Sequence, residues 1–117
     1  MKAEKKHRYG YRREVAIDFE TAVARVCETL KAEGFGVLAE IDLKEKFKEK
    51  LGIDFRRYVI LGACNPPLAN EALGSDLEVG LLLPCNVIVY ENDGGSVVSA
   101  IDAERLLSVT GNEAMAP

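Results

Sequence analysis

The dipeptide Cys-Asn occurs twice, as Cys64-Asn65 within Gly62-Ala63-Cys64-Asn65-Pro66-Pro67 and as Cys85-Asn86 within Leu83-Pro84-Cys85-Asn86. Thiols are the most reactive side chains in the chain, and proline beside each copy marks a break in secondary structure, where side chains gather at element ends. Two such thiols could carry sulfur or a redox equivalent, or hold a soft ion such as copper(I). A zinc site would need more ligands: there is no CxxC pair and only one histidine, His7, which falls in the charged N-terminal segment. No Ser-His-Asp set, Walker loop or GxGxxG accompanies the thiols, so the sequence sets out no complete catalytic constellation and calls for no cofactor or metal.

The local chemistry around Cys64 follows from its neighbours. A residue before proline prefers extended backbone, which is also helix N-cap geometry, so Asn65 is predicted to cap a helix with Pro66 at N1 and Pro67 at N2. The side chain of Asn65 should then accept from the N–H of Leu68. Cys64 lies just ahead of that positive helix end, which favours thiolate, but two prolines delete donors an anion would need, so phosphate binding there is weakly supported. A buried thiol packing the turn is the plainer alternative for Cys64. Cys85 follows Pro84 in the break between two apolar runs and is read equally as reactive or structural; Cys27, on an apolar helical stripe, is read as core. Glu40 and Asp42 flank Ile41 at a strand end and share one face. With Asp42 committed as a cap, Glu40 is left as an acid-base candidate, against the simpler reading of a solvated strand end.

The elements that position these residues come from period and punctuation. Tyr9 to Val15 alternates as a strand, and Asp18 caps a helix whose stripe is Phe19, Ala22, Val23, Val26, Cys27 and Leu30, stopped by Gly34. Phe35 to Ile41 is a second strand, Asp42 caps a second helix with Leu43, Phe47 and Leu51 on one side, and Arg57 to Leu61 is a third strand. Pro66 to Leu73 forms a short helix, Glu78 to Leu83 a fourth strand, and Val87 to Glu91 and Ser96 to Ile101 a hairpin turned at Asn92-Asp93-Gly94-Gly95. Asp102 caps a last helical stretch through Leu107. The order predicts one two-layer α+β domain over residues 1–117, with helices on one face of a mixed, largely antiparallel sheet.

Composition bounds the function classes. At 117 residues, 48% hydrophobic and 29% charged, the chain has the makings of a single core. Residues 1–57 hold 14 Lys and Arg against 11 Asp and Glu, while residues 58–117 hold one against eight, so the second half is too acidic to grip nucleic-acid backbones. The basic residues near the N-terminus read as a solvated strand or tail. Three cysteines, an odd number, without an apolar leader or a run long enough to span a bilayer, point to the reducing cytoplasm and to no membrane. The absence of Trp and Gln beside abundant Lys and Glu leans toward a heat-adapted source.

The segments Val59-Ile60-Leu61-Gly62-Ala63-Cys64-Asn65-Pro66-Pro67-Leu68-Ala69 and Gly80-Leu81-Leu82-Leu83-Pro84-Cys85-Asn86-Val87-Ile88-Val89-Tyr90-Glu91 closely resemble the domain of unknown function 302 family. Gly36 to Asp42 and Lys48 to Phe55 fit it too, and the likeness runs from about residue 9 to the end. The resemblance implies a small α+β domain of TATA-binding-protein-like layout that pairs into dimers, and no established activity. Relatives usually continue past the segment equivalent to Gly111–Pro117 into a further amphipathic helix; here either that helix is missing or the sequence is shortened, and if it is missing the expectation is an apolar sheet face covered by a second copy. The functional reading is a homodimeric cytoplasmic module that binds a small ligand or partner without catalysis, with candidate site residues Cys64, Asn65, Cys85, Asn86 and Glu40. The alternative is a thiol-dependent protein for sulfur, redox or soft-metal handling through Cys64, Cys85 or both.

Overall fold

The structure, a computed structural model, describes residues 5–6 and 9–101. Strands β1 (Lys5–Lys6), β2 (Gly10–Val15), β3 (Gly36–Asp42), β4 (Tyr58–Cys64), β5 (Cys85–Asn92) and β6 (Gly95–Ile101) join in one sheet of order β1-β2-β6-β5-β4-β3. Every pairing is antiparallel. Helices α1 (Phe19–Ala32), α2 (Leu43–Leu51) and α3 (Pro66–Ser75) alternate with the strands, giving the two-layer α+β fold expected from the element order.

The caps act as their side chains dictate. Asp18 accepts from the Thr21 N–H, Asp42 from the Glu45 N–H at 3.0 Å, and Gly52 ends α2 in the left-handed region at φ 68°. The β5–β6 hairpin turns on Asp93 (φ 48°) and Gly94 (φ 78°), the positive dihedrals that an Asp-Gly type I′ turn requires.

Period two divides the sheet into two faces. Val59, Leu61, Val87 and Val89 point together and are buried with Ala22 of α1; Val15, Ile17, Phe19, Val23, Val26, Cys27, Leu30 and Val98 close around them. The α1 stripe read from the sequence is therefore the helix's core-facing side. Arg57 fastens the start of β4 to α1 by pairing with Glu20 at 2.6 Å and lying 4.8 Å over the Phe19 ring. Ser96, buried on β6, donates to the Ile17 carbonyl at 2.9 Å and ties the chain entering α1 to the sheet.

One predicted element has a different form. Where Glu78 to Leu83 is expected as a strand, Leu77–Leu82 is a 3-10 helix that Leu83 ends. The carboxylate of Asp76 accepts from the Glu78 N–H at 3.0 Å and starts it, and the three-residue bonds Val79 N–H to Asp76 O and Leu83 N–H to Gly80 O carry it. The run is apolar without alternating burial: Val79 is buried, while Leu77 and Leu81 are 80% and 85% exposed. Strand β4 already has β3 and β5 as neighbours, so this segment serves as the crossover from α3 to β5. The cap at Asp102 and the helical stretch through Leu107 lie outside the described residues, as does His7.

Candidate functional site

The two Cys-Asn segments meet at one end of the β4–β5 pair, where Gly62 opposes Asn86 and Ala63 opposes Cys85. Gly62 is where they touch: a Cβ built on it would lie 2.6 Å from Pro84 Cγ, so only a bare backbone lets the Pro84 ring settle there. Asn65 caps α3 as anticipated, with the Leu68 N–H donating to its Oδ1 at 3.2 Å. Asn65→Ala should therefore cost about 1 kcal/mol in chemical denaturation.

All three cysteines are free and half-buried. Burial pushes the Cys85 thiol above its ordinary pKa, and the nearby Cys64 raises it further. The two are neighbours without being opposite one another: Cys85 opposes Ala63, whereas Cys64 opposes Gly36 of β3. By strand period Cys85 belongs with Val87 and Val89 on the α1 face, and Cys64 alternates with Ala63 to the other. Burial likewise raises the Cys27 thiol, with Glu40 adding to it. Glu40 opposes Leu61 from the edge strand β3 and is exposed; it stands with Asp42 on one face, apart from the Cys-Asn segments. Among the described residues no three His, Cys, Asp or Glu side chains converge as a metal site.

Asn86 leads to a feature the thiols did not announce. It borders a concavity of about 540 Å³ on the sheet face turned away from α1. The register aligns Arg12 with Ser99, Ile88 and Ile60 in one row across that face, beside a second row of Val97, Tyr90 and Tyr58. Ser99 is small where its neighbours are large, which leaves the hollow; Ile88 and Ile101 give it an apolar lining.

Its aromatic wall is a chain of contacts from α2 to β5. Phe47 meets Phe55 edge-on at 5.0 Å, Phe55 tilts against Tyr58 at 6.1 Å, and Tyr58 stacks on Tyr90 at 5.2 Å with the planes 5° apart. Lys44 holds the loop carrying Phe55 by donating to Asp54 Oδ1 at 2.7 Å and the Phe55 carbonyl at 2.9 Å. Two guanidiniums reach the wall. Arg12 pairs with Glu14 at 3.3 Å, and the neighbouring Tyr90 and Glu14 raise its pKa; Arg56 lies 5.9 Å from the centre of the Tyr90 ring and donates to the Glu91 carbonyl and Asn92 Oδ1. Burial raises the Tyr58 phenol's pKa, so it stays a neutral donor.

Sequence reading singled out Asn86 and missed Arg12, Phe55, Arg56, Tyr58 and Tyr90. The available signal was that β4 and β5 are apolar or aromatic at both parities, as in Tyr58-Val59-Ile60-Leu61 and Ile88-Val89-Tyr90, so the second sheet face is not simply solvated.

The family described as Domain of unknown function DUF302 matches residues 11–117. A crystal structure of an uncharacterized conserved protein DUF302 from Bacillus stearothermophilus is similar, with a TM-score of 0.84 and 34% identity over 93% of this chain and 85% of that one. No curated protein matches. The span of the family match and the likeness of the fold to that solved structure agree, and this chain belongs to the DUF302 family.

Proposed function

We propose that this protein is a non-catalytic binding module that receives a small ligand on the sheet face away from α1, and that it works as a homodimer in the cytoplasm. The observation that carries the ligand reading is the concavity itself. It has the volume of a small-molecule site, an apolar and aromatic wall, and a few converging polar groups in Arg12, Arg56 and Asn86. Self-association draws support from Tyr9, Leu38, Leu77 and Leu81, large apolar side chains left mostly exposed. Free cysteines suit a reducing compartment, and no helix among the described residues is long and apolar enough to cross a membrane.

The thiol-dependent alternative has less behind it. A raised pKa leaves Cys85 with less thiolate at neutral pH than an ordinary cysteine, and Asn65 is already engaged as a cap.

The test uses one preparation. Titration with a set of one- and two-ring fragments should move NMR signals of Ile88, Ser99 and Tyr58, while alkylation of all three thiols at neutral pH should be slow and sedimentation at micromolar concentration should give a dimer. Rapid stoichiometric alkylation of Cys64 or Cys85 would move the function to the thiols, and a monomer throughout would remove the homodimer.

A further inference from the structure

We propose that the ligand of this concavity is a small organic anion, a carboxylate or phosphate carried on a flat apolar body. The inference rests on the ligand-site reading above and narrows it by charge and shape.

Charge is the first ground. The chain carries a net charge of −4, yet among the described residues the lining of the concavity holds two guanidiniums, Arg12 and Arg56, and no carboxylate. Two cations and no carboxylate in the lining of one hollow make a local field opposite in sign to the protein's net charge. The two are not equivalent. Arg12 is partly neutralised by Glu14 at 3.3 Å and shares the lining with Tyr90. Among the described residues Arg56 donates only to neutral oxygens, the Glu91 carbonyl at 3.2 Å and Asn92 Oδ1 at 3.4 Å, and both bonds are exposed. Its charge is therefore left for an incoming anion, which would replace weak contacts with a charge-assisted pair. Asn86 and the neutral phenol of Tyr58 add uncharged donors at the same wall.

Shape is the second ground. The Tyr58 and Tyr90 rings stack on one another at 5.2 Å, 5° from parallel, and border the hollow together, while Ser99 puts a small side chain in its lining. A planar group fits beside such rings better than a branched one, and Ile88 gives it an apolar bed. Carboxylate and phosphate are both read by a guanidinium fork, so the anionic group is defined by charge and planarity of its carrier rather than by its central atom.

The experiment compares 1-naphthoate with its neutral analogue 1-naphthamide, and with inorganic phosphate, by NMR titration of the intact protein at low and high salt. Naphthoate should shift the signals of Ile88, Ser99 and Tyr58 and bind roughly tenfold tighter than naphthamide, with the margin shrinking as salt rises. Arg56→Gln should erase most of that margin, and Arg56→Lys, which keeps the charge, should restore part of it; superimposable thermal melts show that both variants fold. If naphthamide binds in the concavity as tightly as naphthoate, or Arg56→Gln leaves the margin intact, the anion inference falls while the ligand site stands. If phosphate alone moves the same signals as strongly as naphthoate, the flat body is not read and that half falls. If none of the three probes moves the signals, the inference and the ligand-site reading fall together.

Discussion

Leu61→Ala is expected to remove about 3 to 5 kcal/mol of stability, enough to bring the protein close to unfolding at physiological temperature. Leu61 is fully buried, at 0% exposure, in the middle of strand β4, between Val59 and Ala63 and against α1. Its position is fixed on two sides, opposite Val87 on β5 and Glu40 on β3, so the surrounding backbone cannot relax into the space that the lost Cγ and two methyls would leave. Urea denaturation followed by far-ultraviolet circular dichroism measures the loss. A change below about 1 kcal/mol would mean that the α1 face is not the main core.

Gly62→Val is the second large effect, and it separates the architecture of the Cys-Asn segments from any chemistry they carry. The first carbon added at Gly62 would already lie 2.6 Å from Pro84 Cγ and 3.4 Å from Ala39 Cβ. Valine adds two further methyls in the same place, and a proline ring cannot swing aside as a flexible side chain could. The expected cost is about 3 kcal/mol. Because Pro84 leads into Cys85 and Asn86, its displacement should also weaken whatever binds beside Asn86, at denaturant-free conditions where the variant is still folded. Equal stability of the variant and the parent protein would show that the two segments do not pack as described.

Both effects bear on why the Cys-Asn pairs looked functional. Their residue types allow two readings, reactive thiols at element ends or a packed junction, and local sequence cannot choose between them. The junction is what tertiary structure supplies: Gly62 receives Pro84, Asn65 caps α3, and Cys85 turns toward the α1 side with its thiol pKa raised. Glu40, chosen because it shares a face with Asp42, does share it, but on an edge strand away from the concavity.

What the sequence determines by itself is everything set by near neighbours. The N-caps at Asp18, Asp42 and Asn65, the left-handed stop at Gly34 and the Asp93-Gly94 turn are all contests decided within four residues, where a side-chain oxygen or a missing Cβ outweighs anything distant. The α1 stripe is legible for the same reason, since a helix places its period on one side without help. The 3-10 segment from Leu77 to Leu82 is the counterexample: its apolar run suits a strand, but no free strand edge awaits it beside β4, and Asp76 starts a tighter turn. The site belongs wholly to the tertiary structure. Arg12, Arg56, Tyr58, Asn86, Tyr90 and Ser99 are spread over most of the chain, and only the pairing of β2 with β6, β6 with β5 and β5 with β4 lines them up. Strand register decides which residues share a face, a one-residue slip would send each of them to the opposite side, and register is set by contacts between segments that the sequence alone holds far apart.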